Sequence, residues 1–201
     1  MIFVITGPSG CGKTTLVRLV LKKLKDVQFS VSHTTREKRN SEKEGKDYYF
    51  VSRSEFEQMI EEENFAEWAV IHGNYYGTSR REIEKKGAKG DLLLDIDVQG
   101  AQQIKSKLKR GVFIFILPPL FEELKKRLEE RGQEDADSIE KRLGVARKDI
   151  RFYPQFGYII VNDQLEKATK ELEAIILSTR CRLESRKKEI MPILRSFSGD
   201  S

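Results

Sequence analysis

The chain is poor in the residues from which disulfide frameworks and many protein metal centres are built. Its 201 residues contain only two cysteines and two histidines. Cys11 and Cys181 lie far apart without a zinc or redox spacing, and His33 and His72 show no metal-ligand pattern. A disulfide scaffold is therefore excluded, and a reducing compartment, the cytoplasm, is the expected location.

Long hydrophobic runs and blocks of one charge are also missing. The apolar start at residues 2–5 meets Gly7 and Pro8 and is too short for a signal peptide or a membrane span, so no membrane partner is expected. Charged residues make up 34% of the chain with both signs interspersed, which leaves a formal net charge of +5. Because the chain has no aromatic-rich RNA-binding stretch, the excess of positive charge favours phosphate-bearing small molecules as binding partners, with nucleic acid as the lesser alternative.

Four short apolar runs rich in β-branched residues predict buried strands. They lie at residues 2–5, 92–94, 112–117 and 158–161. None of them alternates with polar residues, a pattern typical of strands that helices cover on both faces of a parallel sheet.

Apolar residues at helical spacing lie between and after these runs. Leu16, Val20 and Leu24 predict one helix. A longer C-terminal segment has the same spacing at Leu165, Ala168, Leu172, Ile175, Thr179 and Leu183. The alternation of strands and helices predicts the α/β class, and the length of the chain predicts a single domain.

Two stretches break this alternation. Residues 32–89 carry aromatics, turn glycines and mixed charges without long apolar runs, which predicts an inserted lobe. Residues 131–138 are polar and acidic and contain Gly132, as in a loop between two helices. Residues 196–201 are expected to fray.

The most specific motif follows the first apolar run. Residues 7–14 fit G-x-x-x-x-G-K-[ST] between a predicted strand and a predicted helix, as in a phosphate-binding P-loop. Its members are Gly7, Pro8, Ser9, Gly10, Cys11, Gly12, Lys13 and Thr14. The inward N–H groups of such a loop and the helix N-terminus bind a triphosphate, the lysine neutralises β- and γ-phosphate oxygens, and the threonine hydroxyl binds Mg²⁺.

A second element of the phosphate side is an apolar strand that ends in carboxylates. Residues 92–94 lead into Asp95 and Asp97, and P-loop proteins use such carboxylates to hold Mg²⁺ or its water ligands. The motifs up to this point predict nucleoside triphosphate binding but do not identify an acceptor.

Several further blocks, taken in order with the P-loop, resemble the guanylate kinase family. They are residues 30–36, Arg39, residues 45–48, Glu67-Trp68, residues 73–77, residues 94–97, Pro118-Pro119, Arg131-Gly132 and residues 161–163. The resemblance covers residues 2 to about 172. It implies a P-loop NTPase core with a five-stranded parallel sheet flanked by helices, an inserted mixed α+β GMP-binding lobe and a small lid. The single domain, 1–201, would then comprise a core at 1–31 and 90–195, the lobe at 32–89 and the lid at about 127–147.

The resemblance also implies the residues that bind GMP. Guanine presents adjacent N1–H and N2–H₂ donors that one carboxylate can accept together, and an O6 that hydroxyl groups can bond. Glu67 would accept from guanine beside the hydroxyls of Ser32 and Thr78, whereas adenine would leave these groups unpaired, a loss of roughly 10⁴-fold. The phosphate would be bound by Arg36, Arg39, Tyr48 and Tyr76. Asp97 would complete the site.

On the ATP side, the resemblance implies arginines that close over the donor phosphates. Residues 7–14 would bind ATP together with Thr15, Arg127 and Asn162, and Mg²⁺ would be held by Thr14 and Asp95. The catalytic residues would be Lys13, Arg36, Arg131 and Arg142, with Arg147 a further candidate. Taken singly, each of these arginines also fits a charged helix face.

The implied activity is ATP-dependent phosphorylation of GMP, and of dGMP, by direct in-line transfer within purine nucleotide metabolism and GMP recycling. Two alternatives remain open. A guanylate-kinase-like binding module would keep the lobe without catalysis, and a different P-loop enzyme would phosphorylate another nucleoside monophosphate or a ribose bisphosphate. Thr78 and Gln164 depart from the family's usual residues, and no pattern assigns an oligomeric state.

Overall fold

The computed structural model describes residues 1–108, 110–130 and 136–197. Nine strands lie within these ranges: β1 (Ile2–Thr6), β2 (Val27–Phe29), β3 (His33–Thr34), β4 (Tyr49–Phe50), β5 (Phe65–Ile71), β6 (Asn74–Ser79), β7 (Asp91–Asp95), β8 (Val112–Leu117) and β9 (Tyr158–Val161). The α-helices of these ranges are α1 (Lys13–Lys23), α2 (Arg53–Glu61), α3 (Arg80–Gly87), α4 (Val98–Lys107), α5 (Phe121–Glu129), α6 (Ala136–Asp149), α7 (Leu165–Arg180) and α8 (Leu183–Phe197). A 3₁₀ helix, Ile150–Gln155, follows α6.

The core of the molecule is a five-stranded parallel sheet in the order β2-β7-β1-β8-β9. Its three inner strands are the unalternated apolar runs, and each buries side chains on both faces. Phe3 and Ile114 face the cluster under α1 and α7, whereas Val4 and Phe115 face the cluster under α4. The predicted α/β class and five-stranded parallel sheet are confirmed.

The edges of this sheet differ from the sequence-based expectation. β2 is short and does not stand out as an apolar run, so the apolar pattern alone missed it. β9 is an apolar run, but it is not covered on both faces, because Ile159 and Val161 are 40% and 41% exposed. Among the described residues β9 pairs only with β8, and an edge strand is where one face can remain uncovered.

A second sheet forms entirely from strands within residues 32–89. Its order is β4-β3-β6-β5, with β5 on one edge. One face carries an aromatic cluster beneath α2, in which Phe56 stacks on Phe65 at 4.3 Å and on Tyr75 at 5.1 Å between ring centroids. Helix α2 begins at a capping box, because the Ser52 side chain accepts from the Glu55 N–H and the Glu55 carboxylate accepts from the Ser52 N–H. The opposite face is left for polar side chains.

Helix boundaries correct three predictions. The C-terminal segment is not one helix, because α7 ends at Arg180 and α8 begins at Leu183. Residues 136–138 belong to α6 rather than to a loop, while residues 131–135 lie outside the described part of the chain. Of the terminal segment expected to fray, Ser196 and Phe197 still belong to α8. No helix of the described ranges is both long and apolar enough to span a membrane.

Candidate functional site

The loop between β1 and α1 has the conformation that its glycines permit. Gly7, Gly10 and Gly12 have φ values of 145°, 92° and 95°, which residues with a Cβ rarely adopt. A Cβ on Gly7 would overlap the Ile116 carbonyl oxygen, and one on Gly12 would overlap the Asn162 side chain. The loop therefore lies tightly against β8 and the end of β9, and its backbone can curve around a phosphate chain.

Lys13 begins α1 and turns back into this loop. Its ammonium donates to the carbonyl of Gly7 at 2.7 Å and of Pro8 at 3.3 Å. The Asn162 amide donates to the Cys11 carbonyl at 2.8 Å from the other side, so Asn162 contacts the loop itself. Burial raises the pKa of the Cys11 thiol despite the nearby Lys13 ammonium, so Cys11 is a neutral packing residue here.

Two predicted metal ligands meet where β7 ends. The Thr14 hydroxyl, in the first turn of α1, donates to the carboxylate of Asp95, the last residue of β7, at 3.1 Å. Burial raises the pKa of Asp95, and Lys13 and Thr14 oppose this effect. Thr15 follows on the exposed side of α1. No group of three or more His, Cys, Asp or Glu side chains suited to a metal occurs within the described ranges.

Two of the predicted arginines lie beside the loop. Arg142 on α6 donates to the Ser9 hydroxyl at 2.6 Å. Arg127 on α5 pairs with Glu123 and donates to the Asn162 carbonyl at 3.1 Å. Arg147 instead lies over the Phe121 ring, with 4.4 Å from its guanidinium carbon to the ring centroid. Arg131 lies outside the described residues.

Three of the residues predicted to bind the monophosphate lie close together on the polar face of the second sheet. The Arg36 guanidinium donates to the Tyr76 hydroxyl at 3.2 Å and lies 5.6 Å from the Tyr48 ring centroid. Burial raises the pKa of Tyr48, and the Asp95 charge adds to this effect, so its phenol remains a hydrogen-bond donor. Arg39 differs, because its described hydrogen bonds are made by its backbone: its N–H donates to the Glu42 carboxylate at 2.9 Å and its carbonyl accepts from the Glu42 N–H at 3.0 Å.

The predicted guanine-binding groups lie on the same face. Glu67 is 3% exposed and pairs across the ladder with Thr78, whose hydroxyl lies 3.3 Å from that of Ser32. Burial raises the pKa of Glu67 to about 7, although hydrogen bonds from Thr78 oppose the shift. A buried carboxyl beside two hydroxyls can accept from adjacent N–H groups while the hydroxyls bond a neighbouring acceptor.

A β-bulge determines where Glu67 points. Phe65 pairs with Ser79 and Glu67 with Thr78, so Ala66 is an extra residue without a partner on β6. Because side chains alternate along a strand, Phe65 and Glu67 would otherwise share a face. The bulge sends Phe65 to the aromatic cluster and Glu67 to the polar face.

Contacts at two places connect the P-loop side of the site with the second sheet. Arg18 on α1 pairs with Asp47, next to Tyr48, at 2.7 Å. Asp97 caps α4 by accepting from the Gly100 N–H at 2.8 Å, and a Cβ on Gly100 would overlap the Glu67 carboxylate. The start of α4 therefore brings the phosphate side and the Glu67 side together.

Two acidic residues at the site were missed by the sequence analysis. The Glu42 carboxylate accepts from the Arg36 guanidinium at 2.7 Å and from the Arg39 backbone N–H at 2.9 Å, so it orients the Arg36 side chain. Its position in a basic stretch was an available signal. Burial and the Asp97 charge raise the pKa of Asp149 to about 6, while Lys13 opposes them. No local pattern marks Asp149, since these neighbours are distant in sequence.

Comparisons with known proteins agree on one family. The family model described as Guanylate kinase matches residues 1–179. A guanylate kinase of Geobacter sulfurreducens is 48% identical over 183 residues, which are 90% of each chain. One of Caldanaerobacter subterraneus subsp. tengcongensis is 42% identical, over 93% of this chain and 91% of its own. The crystal structure of a guanylate kinase from Anaplasma phagocytophilum superposes with a TM-score of 0.75 at 34% identity, covering 90% of this chain and 87% of the other.

Proposed function

Since the chain belongs to the guanylate kinase family, we propose that it transfers the γ-phosphoryl group of ATP to GMP, and also to dGMP, yielding ADP and the nucleoside diphosphate. One observation carries the proposal. A buried carboxyl with two hydroxyl neighbours lies on the same sheet face as Arg36, Tyr48 and Tyr76, opposite a P-loop.

In this proposal the chain divides as the sequence analysis expected. Residues 32–89 form the GMP-binding lobe, residues 1–31 and 90–195 form the core, and about 127–147 form the lid. Glu67 accepts from the guanine N1–H and N2–H₂ groups, while the hydroxyls of Ser32 and Thr78 bond O6. The GMP phosphate is bound by Arg36, Arg39, Tyr48 and Tyr76, and Asp97 lines the site.

Mg²⁺ is the proposed cofactor because the ligands at the P-loop suit it. The Thr14 hydroxyl and the Asp95 carboxylate are hard oxygen donors 3.1 Å apart. In kinases Mg²⁺ is typically held by one or two carboxylates together with substrate phosphates and water, not by a protein cage. When bound, it compensates negative charge on the donor phosphates.

The protein residues supply positioning and positive charge in the proposed transfer. The loop N–H groups of residues 7–14 hold the donor phosphates, and the Lys13 ammonium leaves its carbonyl partners to neutralise phosphate oxygens. Arg36 orients the acceptor phosphate in line with the donor, and Arg142 with Arg131 compensates the charge that spreads over the transferring group. Arg127 and Asn162 hold the ATP side. No covalent intermediate with the protein is required.

The proposed setting is purine nucleotide metabolism in the cytoplasm, where the enzyme would return GMP to the diphosphate pool. A coupled assay of ADP release with ATP and equal concentrations of GMP, dGMP, AMP, CMP and UMP tests the assignment. We expect turnover with GMP and dGMP to exceed turnover with AMP by about 10⁴-fold. Preference for AMP would refute the guanine site, and no turnover with any acceptor would support a binding module instead.

The Lys13→Met variant tests the proposed role of the Lys13 ammonium in the same assay. Removing the ammonium takes away a charge that acts on the transferring group, so kcat should fall by at least about 10²-fold. GMP binding, measured by calorimetry, should persist because Lys13 belongs to the ATP side. A fully active Lys13→Met variant would contradict the proposed role of the P-loop.

A further inference from the structure

The outer edge of β5 is covered by side chains of α4. β5 is an edge strand, and such a strand leaves one row of N–H and C=O groups unpaired. The Gln103 amide satisfies both groups of one residue in that row, because it accepts from the Trp68 N–H at 3.2 Å and donates to the Trp68 carbonyl at 2.7 Å. One glutamine side chain thus imitates a neighbouring strand.

A second side chain of α4 makes a hydrogen bond to the backbone of β5 at the bulge, where the pairing with β6 is interrupted. Ala66 is the residue that the bulge leaves without a partner on β6. Its carbonyl accepts from the Lys107 ammonium at 2.6 Å. The strand is therefore fixed at Ala66 and at Trp68, the two residues that flank Glu67, and a bulged strand needs such outside contacts because its own ladder is interrupted.

The Glu67 carboxyl lies against the start of the same helix. A Cβ on Gly100 would overlap the Glu67 carboxylate, so only a glycine leaves room for it there. Gly100, Gln103 and Lys107 are spaced i, i+3 and i+7 and therefore lie along one stripe of α4. On the adjacent face of α4, Ala101 and Ile104 are buried in the core cluster, which holds the helix and its stripe in place.

We propose that Gln103 and Lys107 are positioning residues for guanine specificity, acting through the backbone on either side of Glu67. The inference rests on the proposed function. A carboxylate reads the guanine N1–H and N2–H₂ together only if it is held within a few tenths of an ångström, whereas a single N–H tolerates more displacement. Loosening β5 should therefore weaken GMP more than inosine monophosphate, which lacks the 2-amino group.

The test compares Gln103→Met and Lys107→Met with matched changes on the same helix. Gln102→Met and Lys105→Met remove the same side-chain types, whose hydrogen bonds go to Gln155 rather than to β5. The readouts are kcat and KM for GMP, inosine monophosphate and ATP, together with Tm. Lys107→Arg keeps a donor for the Ala66 carbonyl and serves as the rescue variant.

We expect each of the two test variants to raise KM for GMP about tenfold and to lower the preference for GMP over inosine monophosphate about fivefold, since each loses hydrogen bonds of ordinary strength. KM for ATP should stay within twofold, and the control and rescue variants should resemble wild type.

Equal losses with both acceptors, or an unchanged KM for GMP, would overturn the proposal. Side chains that only stabilise the fold would lower Tm in their variants without changing the preference for GMP over inosine monophosphate. Lys107→Met carries the test if Gln103→Met does not fold. A wild-type enzyme without preference for GMP would instead refute the proposed function.

Discussion

Glu67 is a carboxyl group whose ionisation falls in the working pH range. Burial raises its pKa to about 7, against an ordinary value of 4.5. In the proposed guanine site only the ionised form of Glu67 can accept both guanine donors, so the free enzyme should bind GMP better as the pH rises through 7. A pKa of 7 corresponds to roughly a tenfold rise in the ionised fraction between pH 6 and pH 8.

The prediction is a rise of about tenfold in kcat/KM for GMP between pH 6 and pH 8, because this parameter reports ionisations of the free enzyme. The variant Glu67→Gln should lose that part of the profile and should also lose guanine selectivity. Ionisation of the GMP phosphate contributes equally to both proteins and cancels in their ratio. Parallel profiles for wild type and variant would contradict the proposed role of Glu67.

His33 is a second residue with a shifted pKa, and its protonation affects the stability of the fold. It lies in β3 with its ring 4.8 Å from Tyr49 and 5.7 Å from Phe65 between centroids. Burial lowers its pKa, although the charges of Glu82 and Glu44 oppose this effect. The unfolded chain therefore binds a proton more readily than the folded protein, and acid below about pH 6.5 favours unfolding.

We predict that His33→Phe removes a pH-dependent component of stability. The variant keeps the aromatic packing but cannot protonate, so the free energy of unfolding of wild type should fall relative to the variant as the pH decreases from 7.5 to 5.5. The difference in free energy of unfolding between the two proteins can change by up to about 1.4 kcal/mol per pH unit. Urea unfolding at several pH values measures the difference. His72→Gln, at the exposed second histidine, is the control, and a similar effect there would argue against burial as the cause.

At the scale of elements, sequence patterns were reliable where structure is local and periodic. The P-loop and the three inner strands followed from runs of neighbouring residues. The patterns failed where the outcome depends on distant parts of the chain. β9 is as apolar as an inner strand, but its place at the sheet edge leaves Ile159 and Val161 exposed. The bulge at Ala66 is a pairing irregularity with β6 that no spacing within β5 indicates.

The P-loop gives a test at this scale, because its shape depends on Gly12. This glycine has φ of 95°, and a Cβ would overlap the Asn162 amide that also bonds Cys11. Gly12→Ala should displace the loop from the end of β9. Since a displacement of about 1 Å in a positioned group can reduce rates about 10²-fold, kcat/KM for ATP should fall by about that factor.

Gly87→Ala is the matched control for this substitution. Gly87 belongs to α3, and nothing lies within 4 Å of the position of an added Cβ. Alanine is preferred over glycine in helices by about 0.5–1 kcal/mol, so Tm should be equal or higher and activity unchanged. Wild-type kinetics for ATP in Gly12→Ala would show that the loop conformation is not required.

At the scale of the whole molecule, the two sheets are joined by hydrogen bonds between side chains and distant backbone groups. Glu82 on α3 accepts from the Val31 N–H at 3.0 Å, and Lys86 donates to the Phe29 carbonyl at 2.7 Å. On the other side, Gln103 and Lys107 hold β5. In a sequence, charged and amide residues of this kind look like those of any solvent-exposed helix face. The hydrogen bonds between the two sheets could therefore not be predicted.

Asp91 joins three parts of the core in the same manner. At the start of β7 it accepts from the Met1 ammonium at 2.8 Å and from Arg180 of α7 at 2.7 Å. Burial acts to raise the pKa of Asp91, but these hydrogen bonds outweigh it and the pKa is lowered overall. A carboxylate with a lowered folded pKa stabilises the fold at pH values above its unfolded pKa of about 3.9. The contribution is lost as the pH falls through the folded value.

Asp26 provides a matched contrast, because it binds the same Arg180 at 2.8 Å from an exposed position. The Asp26 side chain is 67% exposed, whereas that of Asp91 is 15% exposed. Asp91→Asn should therefore reduce the free energy of unfolding at pH 7 by about 1–2 kcal/mol, while Asp26→Asn should change it by less than about 0.5 kcal/mol. Urea denaturation at pH 7 and at pH 3 measures both, and the Asp91→Asn deficit should be smaller at pH 3, because below about pH 3.9 the unfolded wild-type chain takes up a proton more readily than the folded ion pair does. Equal deficits for the two variants at pH 7 would mean that burial does not govern the strength of these ion pairs.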